Sequence, residues 1–322
     1  MEKTEKKEQK EKLRFKEDYR IDTYRVDQNK IGKPSGLWQI MQEAACRQME
    51  VQRPSYTDLL EAGQALMLAR VDITIPEEVY FGDVVEASSW PCPSSRATFL
   101  RNYGLWRDGR EVAFASSQWS LVDIESRKIL RVDEADFTNY WHGEYRDLIH
   151  GKFKVSKDTK ETLETVGVKE VQYSDLDYNS HMNNTYYMDA LCNYIPELAA
   201  GTHRVCFVRV HYSKEAPLGD KLQILRSPAI LLDDEQRETY GGKGDRKYIF
   251  QTIKADGELN IQGESYHKNQ KNLCLTVVRF TTRESRDFLY QSPISLTLSL
   301  PSISLTSTAM NSDLDVGTFF PT

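Results

Sequence analysis

Apolar residues recur at helical spacing in two segments, one in each half of the chain. The first segment, 35–49, carries six apolar side chains on one face, and Ser35 is placed as its N-terminal cap. The second runs from Asn183 to about Leu198, with Pro196 predicted in its last turn. The face residues are Leu37, Ile40, Met41, Ala44, Ala45 and Met49 in the first segment and Tyr186, Tyr187, Ala190, Leu191 and Tyr194 in the second. Both segments are therefore predicted to be amphipathic helices.

The same strand signature follows each predicted helix. Residues 69–83 and 208–220 both carry Arg-Val early and Glu-x-x-x-Gly-Asp late, so Glu78 and Glu215 hold equivalent positions. The Gly-Asp pair predicts a turn between two strands. Alternation of apolar and polar residues then predicts further strands, at 97–106, 111–122, 247–254 and 273–281. The chain is therefore predicted to be an internal repeat.

Each half is predicted to contain a short strand, one long helix and about four antiparallel strands. A single helix lying on a curved antiparallel sheet buries the apolar faces of both, which is the hotdog arrangement. Two copies in tandem predict an α+β double hotdog. We expect a polar N-terminal arm (1–14), a first hotdog (15–140), a linker (141–165), a second hotdog (166–283) and a tail outside the fold (284–322).

Composition narrows the functional classes. The chain has 322 residues and a formal net charge of −6, which argues against a nucleic-acid-binding protein because such proteins are usually basic. Its five cysteines are odd in number and widely spaced, so we expect neither a disulfide framework nor a metal site. The glycine-rich segment 241–246 lacks the spacing of a phosphate-binding loop, and no cofactor is expected.

Residues 1–16 are almost entirely Glu, Lys and Gln. A secretory signal needs an apolar core and a transit peptide avoids acidic residues, so we expect neither. No run of about 18 apolar residues occurs, and we therefore expect no membrane span. These features favour a cytoplasmic protein.

Three polar residues occupy every second position directly before the second predicted helix: Asp177, Asn179 and His181. In an extended segment they would point to one side, near a helix N-terminus whose free N–H groups and partial positive charge can polarise a carbonyl. Such residues before a helix also serve as ordinary caps and turn residues. The corresponding segment of the first half, 28–34, shows no Asp/Asn/His set, and this difference favours a functional role.

The segment from Leu176 to Tyr187 contains Asp-x-Asn-x-His-x-Asn-Asn-x-x-Tyr and resembles the signature of acyl-acyl carrier protein (acyl-ACP) thioesterases. Residues 19–24 and 37–45 resemble that family's opening strand and helix, and the resemblance extends over about 15–282. It implies hydrolysis of fatty acyl-ACP thioesters, with acyl carrier protein as the partner. It also implies a catalytic set, which is Asp177, Asn179, His181 and Glu215.

The resemblance places Glu215 on the strand after the second helix. Plant members of the family often carry a cysteine right after this glutamate, but this chain has Ala216, so a thiol mechanism there is excluded and water must attack. Glu215 and His181 would share the role of general base. Asn179 and the helix N-terminus would hold the carbonyl oxygen, and Asp177 would orient its neighbours. Which of the glutamate and the histidine takes the proton stays open.

All five tryptophans lie in the first half or at its edge, so we expect that half to bind the acyl chain. The residues predicted to line its path are Met41, Ala44, Ala45, Leu66 and Leu68. An acidic carrier protein would be met by a basic patch, predicted to include Arg107, Arg110, Lys128 and Arg131.

Three alternatives remain at this point. An acyl-CoA thioesterase would share the fold and the chemistry and differ in the carrier. A non-catalytic acyl-binding regulator would not need the four polar residues. A hotdog dehydratase would also use histidine with an acid, but it fits Asn183-Asn184 poorly. The preferred chain length and the oligomeric state, including a homodimer, are left open.

Overall fold

The computed structural model describes residues 14–137, 140, 142–148, 153–239 and 244–270. Within these residues, eleven strands form one antiparallel sheet, accompanied by six α-helices. The strands are β1 (Phe15–Arg20), β2 (Gln64–Thr74), β3 (Val84–Cys92), β4 (Phe99–Arg107), β5 (Arg110–Asp123), β6 (Glu164–Glu170), β7 (His203–Tyr212), β8 (Lys221–Arg226), β9 (Ile230–Leu231), β10 (Arg246–Ile253) and β11 (Leu259–Asn269). The helices are α1 (Pro34–Val51), α2 (Tyr56–Glu61), α3 (Lys157–Glu161), α4 (Asn184–Cys192), α5 (Pro196–Ala199) and α6 (Asp234–Thr239).

The strand order is β1-β3-β4-β5-β2-β7-β11-β10-β8-β6, with β9 beside β10. The two halves meet where β2 pairs with β7, in a register that sets Arg70 opposite His211 and Thr74 opposite Phe207. Because equivalent strands pair antiparallel, the halves are related by an approximate two-fold rotation about this pair. The predicted α+β class and tandem arrangement are confirmed.

Helix α1 packs on β1 and β3 of its own half and against α4 of the other half. Apolar residues of both helices and of strands from both halves form one buried cluster. The helix begins at Pro34, so Ser35 is not its cap. Ser35 is buried, and its hydroxyl donates a hydrogen bond to Asp189 of α4 at 2.6 Å. The two helices therefore share a polar contact as well as the core.

The second predicted helix is shorter than expected. Helix α4 ends at Cys192, and a separate helix, α5, begins at Pro196. Ile195 is extended, with φ −106° and ψ 107°, because the ring of a following proline disfavours the helical conformation. Pro196 therefore begins a helix rather than ending one.

Described residues of the predicted linker, 141–165, contact the sheet. The amide of Arg146 donates to Asn102 Oδ1 at 2.8 Å, and the ring of Phe153 lies 5.5 Å from that of His211. The linker range also contains α3. Residues 1–13 of the predicted arm, the tail and the predicted strand at 273–281 lie outside the described residues. Of the helices that the structure describes, none is long and apolar enough to cross a membrane.

A buried ionic network joins the halves at the two-fold axis. Arg209 Nε lies 3.0 Å from Asp72 Oδ1, and these side chains are only 5% and 1% exposed. Arg70 also pairs with Asp72, while Arg209 Nη1 lies 3.5 Å from Glu264 Oε1. Desolvation raises the pKa of the Asp72 carboxyl even though two guanidinium groups flank it. Burying this charge is therefore costly, and the network depends on all of its members.

Replacing Arg209 with methionine should lower the free energy of unfolding by about 3–5 kcal/mol, because the buried carboxylates of Asp72 and Glu264 each lose a guanidinium contact. Arg131→Met, which removes an exposed pair with Asp133, should cost far less, because solvent screens that pair. Denaturant unfolding of the two variants measures the difference. Equal losses would contradict a special role for the buried network.

Candidate active site

Two loops bring a histidine and a glutamate together in the second half. The histidine turn, residues 177–181, precedes α4, and the glutamate loop, residues 213–220, connects β7 to β8. His181 Nε2 lies 3.2 Å from Glu215 Oε2, and the two side chains are 28% and 34% exposed. This distance is short enough for a proton to pass between them, and the exposure leaves the pair open to a substrate.

The histidine turn is closed, not extended as the sequence pattern suggested. The amide of Asp177 donates to the carbonyl of His181 at 2.9 Å, and that of Ser180 donates to the carbonyl of Asp177 at 3.0 Å. Ser180 adopts a φ of 65°, and Asp177 Oδ1 accepts from the amide of Asn179 at 2.8 Å. The expectation of an extended segment is therefore wrong. Asp177 instead stabilises the turn that carries Asn179 and His181.

The first half contains the same turn. The amide of Asp27 donates to the carbonyl of Ile31 at 2.8 Å, and Asp27 Oδ1 accepts from the amide of Asn29 at 2.8 Å. Lys30 has a φ of 63°, which matches Ser180 in the second turn. The expectation that the first half lacks this set is thus corrected, since it keeps the aspartate and asparagine. The histidine alone is replaced, by Ile31.

Matching backbone contacts also relate the two glutamates. The amide of Met182 donates to the carbonyl of Ala216 at 2.8 Å, and the amide of Gly32 donates to that of Val79 at 2.7 Å. Each contact ties a turn to the residue after a glutamate, so Glu78 and Glu215 are equivalent, as predicted. Both glutamates, however, lie in the loop after a strand rather than on the strand itself.

The carboxylates of the two glutamates have different partners. Glu78 Oε1 lies 3.1 Å from Nε of the buried Arg204, and Glu78 also accepts from the Tyr80 hydroxyl. The bulges in β2 and β7 fall at Ala69 and Cys206, so Met67 holds the position that corresponds to Arg204. Glu215 therefore has no arginine at this position, and its carboxylate is left to pair with His181.

Tyr56 reaches the histidine turn from the first half. Its hydroxyl donates to Asn179 Oδ1 at 2.9 Å, and its ring contacts that of Tyr178 edge to face. Burial raises the pKa of Tyr56, so the hydroxyl keeps the proton that it donates. This hydrogen bond fixes the orientation of the Asn179 carboxamide, with Oδ1 toward Tyr56. The sequence pattern gave no signal for Tyr56, because the contact joins residues distant in sequence.

The two asparagines at the start of α4 make different contacts. Asn183 is the N-cap, and its Oδ1 accepts from the amide of Thr185 at 2.9 Å. Asn184 Oδ1 accepts from Trp38 Nε1 at 2.7 Å and from Gln42 Nε2 at 3.0 Å, both on α1. The start of α4 is therefore fixed to the helix of the other half.

The five predicted acyl-binding residues fall into two groups. Met41, Ala44 and Ala45 lie in the main buried cluster, and Leu68 packs against it. Leu66 packs against a different cluster, which surrounds Phe99 and Leu121. The structure brings four of the five together and separates Leu66 from them.

The predicted basic patch is not continuous. Arg107 and Arg110 lie at one end of the β4–β5 hairpin, whereas Lys128 and Arg131 follow the other end of β5. Since β5 has 14 residues, the two pairs are separated by a strand of about 40 Å. Arg107 also pairs with Asp83, so its guanidinium is not available to a partner.

Solved structures of similar fold define the fold class of this chain. The fold matches an acyl-ACP thioesterase from Bacteroides thetaiotaomicron, with a TM-score of 0.68 and 18% identity over 80% of this chain and 99% of that chain. It also matches the 12:0-ACP thioesterase from Umbellularia californica, with a TM-score of 0.67 and 16% identity over 80% and 95% of the two chains. The chain is therefore a double hotdog.

Family models identify both halves. The acyl-ACP thioesterase N-terminal domain matches residues 12–140, and the C-terminal domain matches residues 157–269. The chain belongs to the acyl-ACP thioesterase family.

The chain is 24% identical over 237 residues to oleoyl-acyl carrier protein thioesterase 1, chloroplastic, of Arabidopsis thaliana. The aligned region covers 66% of this chain and 63% of that protein. It is 22% identical over 227 residues to a palmitoyl-acyl carrier protein thioesterase of the same plant, and this alignment covers 66% of this chain and 55% of that protein. The chain thus spans less than two thirds of the length of these relatives.

The duplicated turn yields a stability prediction. Asp177→Ala should lower the free energy of unfolding by about 0.5–1.5 kcal/mol, because it removes the hydrogen bond from the Asn179 amide that closes the turn. Asp27→Ala should lower it by at least as much, because Asp27 Oδ1 accepts from the amides of both Asn29 and Ile31. Chemical denaturation measures both. A loss in only one of the two variants would show that the turns are not held in the same way.

Proposed function

We propose that this chain hydrolyses fatty acyl-ACP thioesters, releasing free fatty acid and ending chain elongation. The observation that carries the proposal is the His181–Glu215 pair, at 3.2 Å, in the half whose family match is the acyl-ACP thioesterase C-terminal domain. The equivalent position of the first half has no such pair, because Ile31 replaces the histidine and Arg204 binds the glutamate. The polar pair is therefore not a requirement of the fold.

In the proposed mechanism, a water between substrate and loops attacks the thioester carbon. Glu215, assisted by His181, accepts the proton of that water as the carbon–oxygen bond forms. The NH2 group of Asn179 donates to the carbonyl oxygen as it gains negative charge. The proton then passes to the leaving thiolate when the carbon–sulfur bond breaks. Asp177 contributes by closing the turn that holds two of these groups.

Water is the nucleophile because the position after the glutamate offers no thiol. Ala216 is fully buried, and its carbonyl accepts from the amide of Met182. Its role is to bind the glutamate loop to the histidine turn.

The acyl chain is proposed to lie along the first half, near Met41, Ala44, Ala45 and Leu68. Met41, Ala44 and Ala45 belong to the buried face of α1, and Leu68 packs against the same apolar cluster. Helix α1 also contacts the start of α4 through Asn184. The carrier is proposed to be acyl carrier protein, and the corresponding acyl-CoA ester provides the comparison. A cytoplasmic location and a homodimer stay predictions.

The test is hydrolysis of purified acyl-ACP esters of several chain lengths by the wild type and two variants. Glu215→Gln and His181→Ile should each lower kcat by about 10²–10⁴-fold, with a much smaller change in KM, because general-base assistance acts in the transition state. His181→Ile places in the second turn the residue that the first turn already holds, so the variant should fold. Circular dichroism and thermal melting check this. Near-wild-type turnover of either folded variant would refute the assignment of His181 and Glu215 as the catalytic pair. Faster hydrolysis of acyl-CoA than of acyl-ACP would refute the proposal that acyl carrier protein is the carrier.

The contrast between the two glutamates gives a second prediction. Met67→Arg should place a guanidinium beside Glu215, as Arg204 does for Glu78, and should lower kcat by about tenfold or more because the carboxylate then pairs with arginine. Met67→Leu is the control and should retain wild-type turnover. The comparison is made on the same acyl-ACP ester, and equal turnover of the two variants would contradict the structural explanation.

A further inference from the structure

A lysine holds the backbone of the proposed catalytic glutamate. Lys254 follows β10, and its Nζ donates to the carbonyl oxygen of Glu215 at 3.1 Å. The same Nζ lies 2.9 Å from Asp220 Oδ2, and the lysine side chain is only 17% exposed. Asp220 raises the pKa of Lys254, which therefore stays charged. A charged donor makes a stronger hydrogen bond to a carbonyl than a neutral one does.

The first half has a cation in the same place. Arg107 ends β4, and its Nη1 donates to the carbonyl oxygen of Glu78 at 3.1 Å. It also pairs with Asp83, the counterpart of Asp220. This arrangement explains the repeated Glu-x-x-x-Gly-Asp signature. The glutamate supplies the carbonyl, and the aspartate supplies the counter-ion, for a cation from the following hairpin.

Other contacts hold the glutamate loop on either side of Glu215. Asn260 Nδ2 donates to the carbonyl of Lys214 at 2.6 Å, and the amide of Met182 donates to the carbonyl of Ala216 at 2.8 Å. Lys254 acts on the carbonyl between them, that of Glu215. The orientation of this peptide sets where the carboxylate of Glu215 stands relative to His181.

We infer that Lys254 is a positioning residue for Glu215, whose function is to hold the glutamate peptide so that the carboxylate meets His181. The inference rests on the proposed function and deepens it, because it assigns to the same site a residue that does not touch the substrate. In the first half, where the glutamate pairs with Arg204, the equivalent Arg107 can only be structural.

The repeat supplies a matched experiment. Lys254→Met and Arg107→Met remove the same two contacts in the two halves, and Arg107→Met also removes a 3.7 Å pair with Glu77. A purely structural effect should therefore be at least as large in Arg107→Met. Lys254→Met should lower kcat for acyl-ACP by about 10- to 100-fold with KM little changed, because a shift of about 1 Å in a reacting group can cost 10²-fold. Arg107→Met should retain wild-type kcat. Lys254→Arg should recover most of the lost kcat, since arginine makes these contacts in the first half.

The outcomes separate the inference from the proposed function. A wild type that does not hydrolyse acyl-ACP would overturn both. An active wild type, with equal kcat for Lys254→Met and Arg107→Met or no recovery in Lys254→Arg, would overturn the role of Lys254 alone. If Lys254→Met melts below the assay temperature, Asp220→Asn is assayed against Asp83→Asn. A lower kcat only in Asp220→Asn would support the inference, and equal kcat would overturn it.

Discussion

The antiparallel pairing of β2 with β7 is the constraint on which the rest of the structure depends. It relates the halves by an approximate two-fold rotation, so the segment after the helix of each half reaches the turn of the other half. Tyr56 contacts Asn179 in this way, and Asn29 Nδ2 donates to the carbonyl of Gly201 at 3.1 Å. The proposed active site is therefore built by both halves, although His181 and Glu215 come from one.

Comparison of the two halves distinguishes the backbone features that they share from the side chains that give the second half its proposed chemistry. Both halves keep a closed Asp-x-Asn turn, a glutamate in the loop that the turn contacts, and a cation that holds the glutamate carbonyl. The differences lie at two positions. Histidine stands where the first half has Ile31, and Met67 stands where the second half has Arg204. Changing these two positions changes the partner of a carboxylate without changing the backbone that carries it.

Local patterns predicted most of the fold. The helical spacing at 35–49 and the repeated Glu-x-x-x-Gly-Asp signature identified the core helix and the equivalent glutamates, because both depend on residues close in sequence. The turn at 177–181 was interpreted wrongly, since alternation suggested a strand while the positive φ of Ser180 and the hydrogen bond to Asp177 close it. Tyr56 and Lys254 could not be found in this way, because their contacts with Asn179 and Glu215 exist only after the sheet has formed.

The opposed charges at the two-fold axis bear on how the chain assembles. Asp72 and Arg209 are equivalent residues, and each lies opposite the other. Two first halves paired in the same register would set Asp72 against Asp72, and two second halves would set Arg209 against Arg209. Each side chain would keep the partner of its own half, Arg70 or Glu264, but it would face a buried like charge in place of an opposite one, which is unfavourable. The position therefore favours pairing of a first half with a second half, and it disfavours pairing of two first halves or two second halves from different chains even though the halves share a fold.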